Sequence, residues 1–171
     1  MTPAVCFAQG AEERELSQAL LQALRGAVLT DTFPKSFVDV YVLVLQADGA
    51  ELPGAVMAAS LALAHAGVAC RDLVAACTVA QLGEELLLDP TPAEVAGARA
   101  AATVTALPAA GGATSVTLRG LWAGPGGAEE AVETALDACA VLDQALRGSL
   151  QAATQPQAAA ALAARTQPPA V

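Results

Sequence analysis

Residues 37–45 read Phe-Val-Asp-Val-Tyr-Val-Leu-Val-Leu and run on through Gln46-Ala47-Asp48-Gly49. Valine, leucine and aromatic side chains around a single acidic interruption predict a β-strand, because such side chains pack well on a pleated surface. So few positions are polar that both faces of the strand are expected to be covered. Asp48-Gly49 then ends the run as a turn. A buried strand needs neighbours to take its backbone N–H and C=O groups, yet only a helix precedes this one. Leu16, Ala19, Leu20, Ala23 and Leu24 recur at three- and four-residue intervals behind Glu12, Glu13 and Glu15, whose charges favour a helix N-terminus, so residues 12–25 are predicted as helix. The fold is therefore expected to lack an N-terminal sheet, and the start at Met1 reads as that of a truncated chain.

Downstream, Pro53 suits the first turn of a helix running to about Ala66, where Gly67 stops it. Strands are predicted over 73–80 and 86–88 around Gly83-Glu84, and over 100–107 and 115–121 around Gly111-Gly112. After Gly124-Pro125-Gly126-Gly127, residues 128–150 place Val132, Leu136, Cys139, Leu142 and Leu146 on one helical stripe. The layout is α+β, with an irregular start over 1–10, one domain over 11–150, and an alanine-, glutamine- and proline-rich tail over 151–171 that is expected to be mobile.

Composition narrows function. The 171 residues carry 17 acidic and 8 basic side chains for a net charge of −9, and 55% of positions are hydrophobic. A chain of this length buries a core without disulfide or metal staples. A pI near 4.4 repels phosphate backbones on average, and the basic residues form no run, so RNA contact has to be local or shared with partners. The aromatic residues, Phe7, Phe33, Phe37, Tyr41 and Trp122, are too few for a base-stacking platform. Cys6, Cys70, Cys77 and Cys139 lack paired zinc spacing, and His65 is the sole histidine, so buried thiols and no metal are expected. No secretory start and no apolar run of bilayer length appear, which points to a reducing compartment and no membrane partner.

The stretch over 39–49, Asp-Val-Tyr-Val-Leu-Val-Leu-Gln-Ala-Asp-Gly, resembles the RNase PH family of phosphorolytic exoribonucleases and their exosome relatives. The resemblance extends over about 12–150 and includes Glu15-Leu16, Ala59-Ser60-Leu61-Ala62-Leu63-Ala64, Ala66-Gly67 and Arg71-Asp72-Leu73. It implies an RNase PH-like fold, the ribosomal protein S5 domain 2-like type, here partial. Family members carry strands ahead of the first helix. Asp31-Thr32-Phe33-Pro34-Lys35, the Leu-Leu-Leu-Asp-Pro-Thr of 86–91 with Glu94, and Leu118-Arg119-Gly120-Leu121-Trp122 are similar to one subunit type of the eukaryotic exosome ring, of plant and algal kind.

Phosphorolysis needs convergent positive charge or N–H donors around inorganic phosphate. In active relatives an arginine follows the Gln-Ala-Asp-Gly strand; here the position holds Leu52, with Glu51 beside it. Two aspartates six residues apart in active relatives, the second working with a divalent metal, are matched by Val95 and Ala101. Asp89, followed by Pro90, reads as a turn former, and Glu94 alone makes no carboxylate pair. His65 reads as a helix-end cation and Arg71-Asp72 as a surface or interface pair.

The resemblance thus implies a non-enzymatic ring subunit with no catalytic residues and no cofactor. Its partners are other RNase PH-like ring subunits, RNA-binding cap subunits and RNA in the assembled channel, where Arg14 and Arg71 are the candidate contacts. Ribosomal RNA maturation and messenger RNA turnover in nucleus, nucleolus and cytoplasm follow. The alternative is an active phosphate-dependent 3′-to-5′ exoribonuclease.

Overall fold

The glycine turns build the sheet. In the computed structural model, which describes residues 10–33, 35–124 and 126–166, Gly83 takes φ +67° between β1 (Ala75–Leu82) and β2 (Glu85–Leu88), and Gly111 takes φ +72° between β3 (Ala100–Leu107) and β4 (Gly112–Gly120). This left-handed region is open to glycine at little cost. The strands form one antiparallel sheet in the order β2-β1-β3-β4.

Alternation along β1 divides the core. Val74 and Ala76 point to α1 (Ala11–Arg25) and α2 (Glu51–His65), where they meet Ala23, Leu24, Ala27, Val56, Ala59 and Leu63. Ala75, Cys77 and Val79 point the other way, to Ala131, Ala135 and Cys139 of the last helix. Small side chains dominate both faces, so the helices sit close to the sheet. Ser60 and Gln81 are paired inside: Val74 N–H donates to Ser60 Oγ at 2.8 Å. Gln81 Nε2 donates to Ala123 O at 2.6 Å and Gln81 Oε1 accepts from Ala123 N at 3.1 Å.

Three expectations change. Residues 37–45 join α1 to α2 and form no ladder; Phe37, Tyr41, Leu43 and Leu45 are 78%, 79%, 81% and 89% exposed. Propensity alone does not make a strand: a ladder also needs a partner strand, and none pairs with 37–45 among the described residues. A short helix α3 (Pro92–Gly97) was not anticipated, although Thr91 and Glu94 cap it reciprocally and Pro92 opens it. The last helix, α4 (Gly127–Thr166), passes residue 150 into the compositionally biased segment, since alanine and glutamine are good helix formers. The expected irregular start over 1–10 lies almost wholly outside the described residues. Among the described residues no helix is long and apolar enough to cross a membrane.

Candidate functional site

The two motif-bearing turns meet. Gly49 has φ +93°, and a Cβ there would stand 3.0 Å from Pro90 O, 3.1 Å from Pro92 N and 3.2 Å from Pro92 Cδ. The Gln-Ala-Asp-Gly turn is therefore seated against the Leu-Asp-Pro-Thr turn, and only glycine fits at the contact. Gly49 N–H donates to Glu51 Oε1 at 3.1 Å, so Glu51 closes its own turn. Asp89 occupies the left-handed region at φ +53°, with its N–H donating to Thr78 O at 2.9 Å, as expected of a turn former.

Glu94 serves a cap. Its Oε2 accepts from Thr91 N at 2.7 Å and from Thr91 Oγ1 at 2.8 Å, and its own N–H donates to Thr91 Oγ1 at 3.4 Å. The bonds from Thr91 hold this carboxyl below the usual range. Leu52 packs against the core formed by α1, α2 and β1; Val95 is 39% exposed on α3; Ala101 lies on β3 between Ala80 and Arg119. Among the described residues no group of three or more His, Cys, Asp or Glu is placed to hold a metal.

The other named residues disperse. Arg14 is exposed near the start of α1, whereas Arg71 is exposed beyond its far end, its N–H donating to Ala27 O at 2.7 Å. Thirteen helical steps from residue 14 to residue 27 span roughly 20 Å, so the fold does not bring the two arginines together. His65 closes the last turn of α2. Cys77 and Cys139 are buried, and desolvation pushes the Cys139 thiol up to about 12. An open cleft of about 470 Å³ at the sheet end is lined by Gln81, Glu84, Arg99 and Glu130 among others, so charges of both signs face it.

Asp72 separates from Arg71. Its side chain is 4% exposed and pairs with Arg147 of α4, which also donates through Nε to Asp143 Oδ2 at 2.7 Å. Asp72 also accepts from Leu73 N at 2.9 Å and, across the β3–β4 turn, from Ala109 N at 2.8 Å and Ala110 N at 3.0 Å. Burial pushes its carboxyl up, but the bonds from Ala110, Arg147, Leu73 and Ala109 outweigh burial and hold it below the ordinary carboxylate range. Sequence reasoning missed this anchor, for which the i, i+4 spacing of Asp143 and Arg147 was the available signal.

Residues 7–69 match RNase_PH, the 3′ exoribonuclease family, domain 1. The chain is 36% identical over 143 residues to an Arabidopsis thaliana protein called exosome complex component RRP41-like, covering 84% of this chain and 56% of that one. It is 38% identical over 159 residues to human exosome complex component MTR3, covering 89% and 57%. The crystal structure of rice (Oryza sativa) Rrp46 superposes with a TM-score of 0.77 at 25% identity, over 85% of this chain and 68% of that one. The chain spans a little over half the length of these curated relatives.

One expectation is overturned by these similarities. The sequence leads to the expectation of a non-enzymatic subunit, yet the chain matches a 3′ exoribonuclease family over residues 7–69, and the exosome complex component Rrp41 of the archaeon Methanopyrus kandleri is 34% identical over 137 residues, 80% of this chain and 57% of that one. Leu52, Val95 and Ala101 speak only for their own positions. Main-chain N–H groups and groups outside those positions can also hold an anion, so three substitutions do not decide whether the chain belongs to an enzyme.

Proposed function

The chain belongs to the RNase PH family, and on that premise we propose that it is a ring subunit of an RNA exosome, acting in 3′-to-5′ RNA processing and decay. The observation that carries this reading is the superposition on rice Rrp46 across 85% of the chain. Identities of 36% and 38% to chains named as exosome components support it. Its partners in this reading are other RNase PH-like subunits, RNA-binding cap subunits and RNA threading the assembled channel. Ribosomal RNA maturation and messenger RNA turnover, in nucleus, nucleolus and cytoplasm, are the corresponding processes and places.

RNA binding in this reading is collective. A net charge of −9 gives the single chain no long-range pull on a polyanion, whereas a ring gathers cations from several subunits. Arg14 and Arg71 are exposed. The test is reconstitution of the chain with ring subunits from the same organism. Co-elution at one copy per ring is expected; failure to join any ring subunit overturns the proposal.

A further inference from the structure

The segment that joins α1 to α2 leaves an apolar surface open. No turn interrupts residues 37–44, and exposure alternates along the segment: Val38, Val40, Val42 and Val44 are 37–49% exposed, whereas Phe37, Tyr41, Leu43 and Leu45 are 78–89% exposed. A period of two is that of an extended chain. The four valines therefore share one face, and Phe37, Asp39, Tyr41, Leu43 and Leu45 share the other. Among the described residues the main-chain groups along both margins meet no strand, because the sheet holds only β1 to β4.

Area and sequence symmetry point to a second copy of this chain as the occupant. The open apolar side chains offer roughly 650 Å² per chain. Two copies together exceed the roughly 1,000 Å² of total surface that a specific interface clears. The segment also reads almost alike in both directions from Tyr41. In an antiparallel pairing centred there, Val38 stands opposite Val44, Val40 opposite Val42, Phe37 opposite Leu45, and Tyr41 opposite its own counterpart. A two-fold interface demands this, since residue i meets j wherever j meets i, and aromatic and β-branched cross-strand pairs are favourable. Asp39, the single charge, falls opposite Leu43. It stands four positions from its counterpart, roughly 13 Å along the strand, so the two carboxylates do not crowd.

We infer that residues 37–45 are a self-docking strand, through which the isolated chain forms a two-fold homodimer by antiparallel pairing with the same segment of a second copy, centred on Tyr41. The inference concerns the chain by itself and does not depend on the ring-subunit reading. Sedimentation velocity of the full chain at tens of micromolar is expected to show a dimer. Tyr41→Lys sets two ammonium groups face to face at the two-fold, and is expected to keep the parent's circular dichroism while weakening dimerisation at least tenfold. Leu43→Lys sets each ammonium opposite the other copy's Asp39, and is expected to keep the dimer and make it salt-sensitive. Val141→Lys, at an exposed position on α4, is expected to dimerise as the parent does. Should Tyr41→Lys fail to fold, Tyr41→Cys gives a second readout: with glutathione disulfide it is expected to cross-link two chains, because its counterpart lies directly opposite, whereas Val44→Cys is not. A monomeric parent chain overturns the inference, as does open-ended aggregation, a folded Tyr41→Lys variant that dimerises as tightly as the parent, or loss of the dimer in Leu43→Lys.

Discussion

Asp72→Ala is expected to cost about 4 kcal/mol of folding stability. The carboxylate, 4% exposed, receives three main-chain N–H groups and a guanidinium. Charge-assisted bonds are worth roughly 1.5–3 kcal/mol each when a buried donor is left bare. Leu73 N–H meets that condition, whereas Ala109 and Ala110 lie on an exposed turn where water replaces the lost acceptor, for about 1 kcal/mol apiece. Arg147 keeps Asp143 and is 42% exposed, so its share is under about 1 kcal/mol. Asp72→Asn retains one acceptor oxygen and is expected to lose about half as much. Urea unfolding followed through the single tryptophan, Trp122, measures the difference as a shifted midpoint with an unchanged slope. The pH dependence is a second check. A carboxyl held below its ordinary value contributes stability in full above its unfolded pKa, near 3.9, and loses it as pH falls through the lower folded value. The gap between parent and Asp72→Ala is thus expected to be flat from pH 7 to 5 and to narrow below about pH 4. A loss under about 1 kcal/mol, or a gap that widens as pH falls, refutes the anchor.

Gly120→Ala is expected to destabilise by about 3 kcal/mol in the same urea assay, since Gly120 has φ +80° and a Cβ there would meet Arg99 O and stand 2.7 Å from Ala100 Cα. Replacing Leu43 and Leu45, 81% and 89% exposed, with aspartate is expected to reduce self-association of the isolated chain in light scattering while leaving its melting temperature within about 2 °C. Arg14→Glu with Arg71→Glu in a reconstituted ring is expected to weaken RNA binding severalfold and flatten its salt dependence, read by fluorescence anisotropy, with assembly intact.

Local signals carried much of the fold. Gly83 and Gly111 mark the hairpins where they occur, and the spacing of Leu16, Leu20 and Leu24 places α1. The Thr91-to-Glu94 capping box, directly after Asp89-Pro90, is an equally legible signal for α3. What sequence could not supply was pairing at a distance. Residues 37–45 have strand composition, but a ladder depends on neighbours, and among the described residues none pairs with them. Asp72 meets Arg147 across 75 positions, and its sequence neighbour Arg71 is only a neighbour in the chain. At the candidate site, Leu52 enters the core because α2 turns that face inward, and Gly49 is held by Pro90 and Pro92 from a separate turn. Leu52, Val95 and Ala101 are three positions of a larger site, so their residue types alone do not exclude an enzyme.

The most direct test of the central claim is affinity isolation of the tagged chain from its own cells, with quantitative mass spectrometry of what accompanies it. The account predicts RNase PH-like ring subunits and cap subunits at equal stoichiometry, with one copy of this chain per ring. Recovery of the chain without ring subunits, or of exosomes that contain no copy of it, contradicts the account.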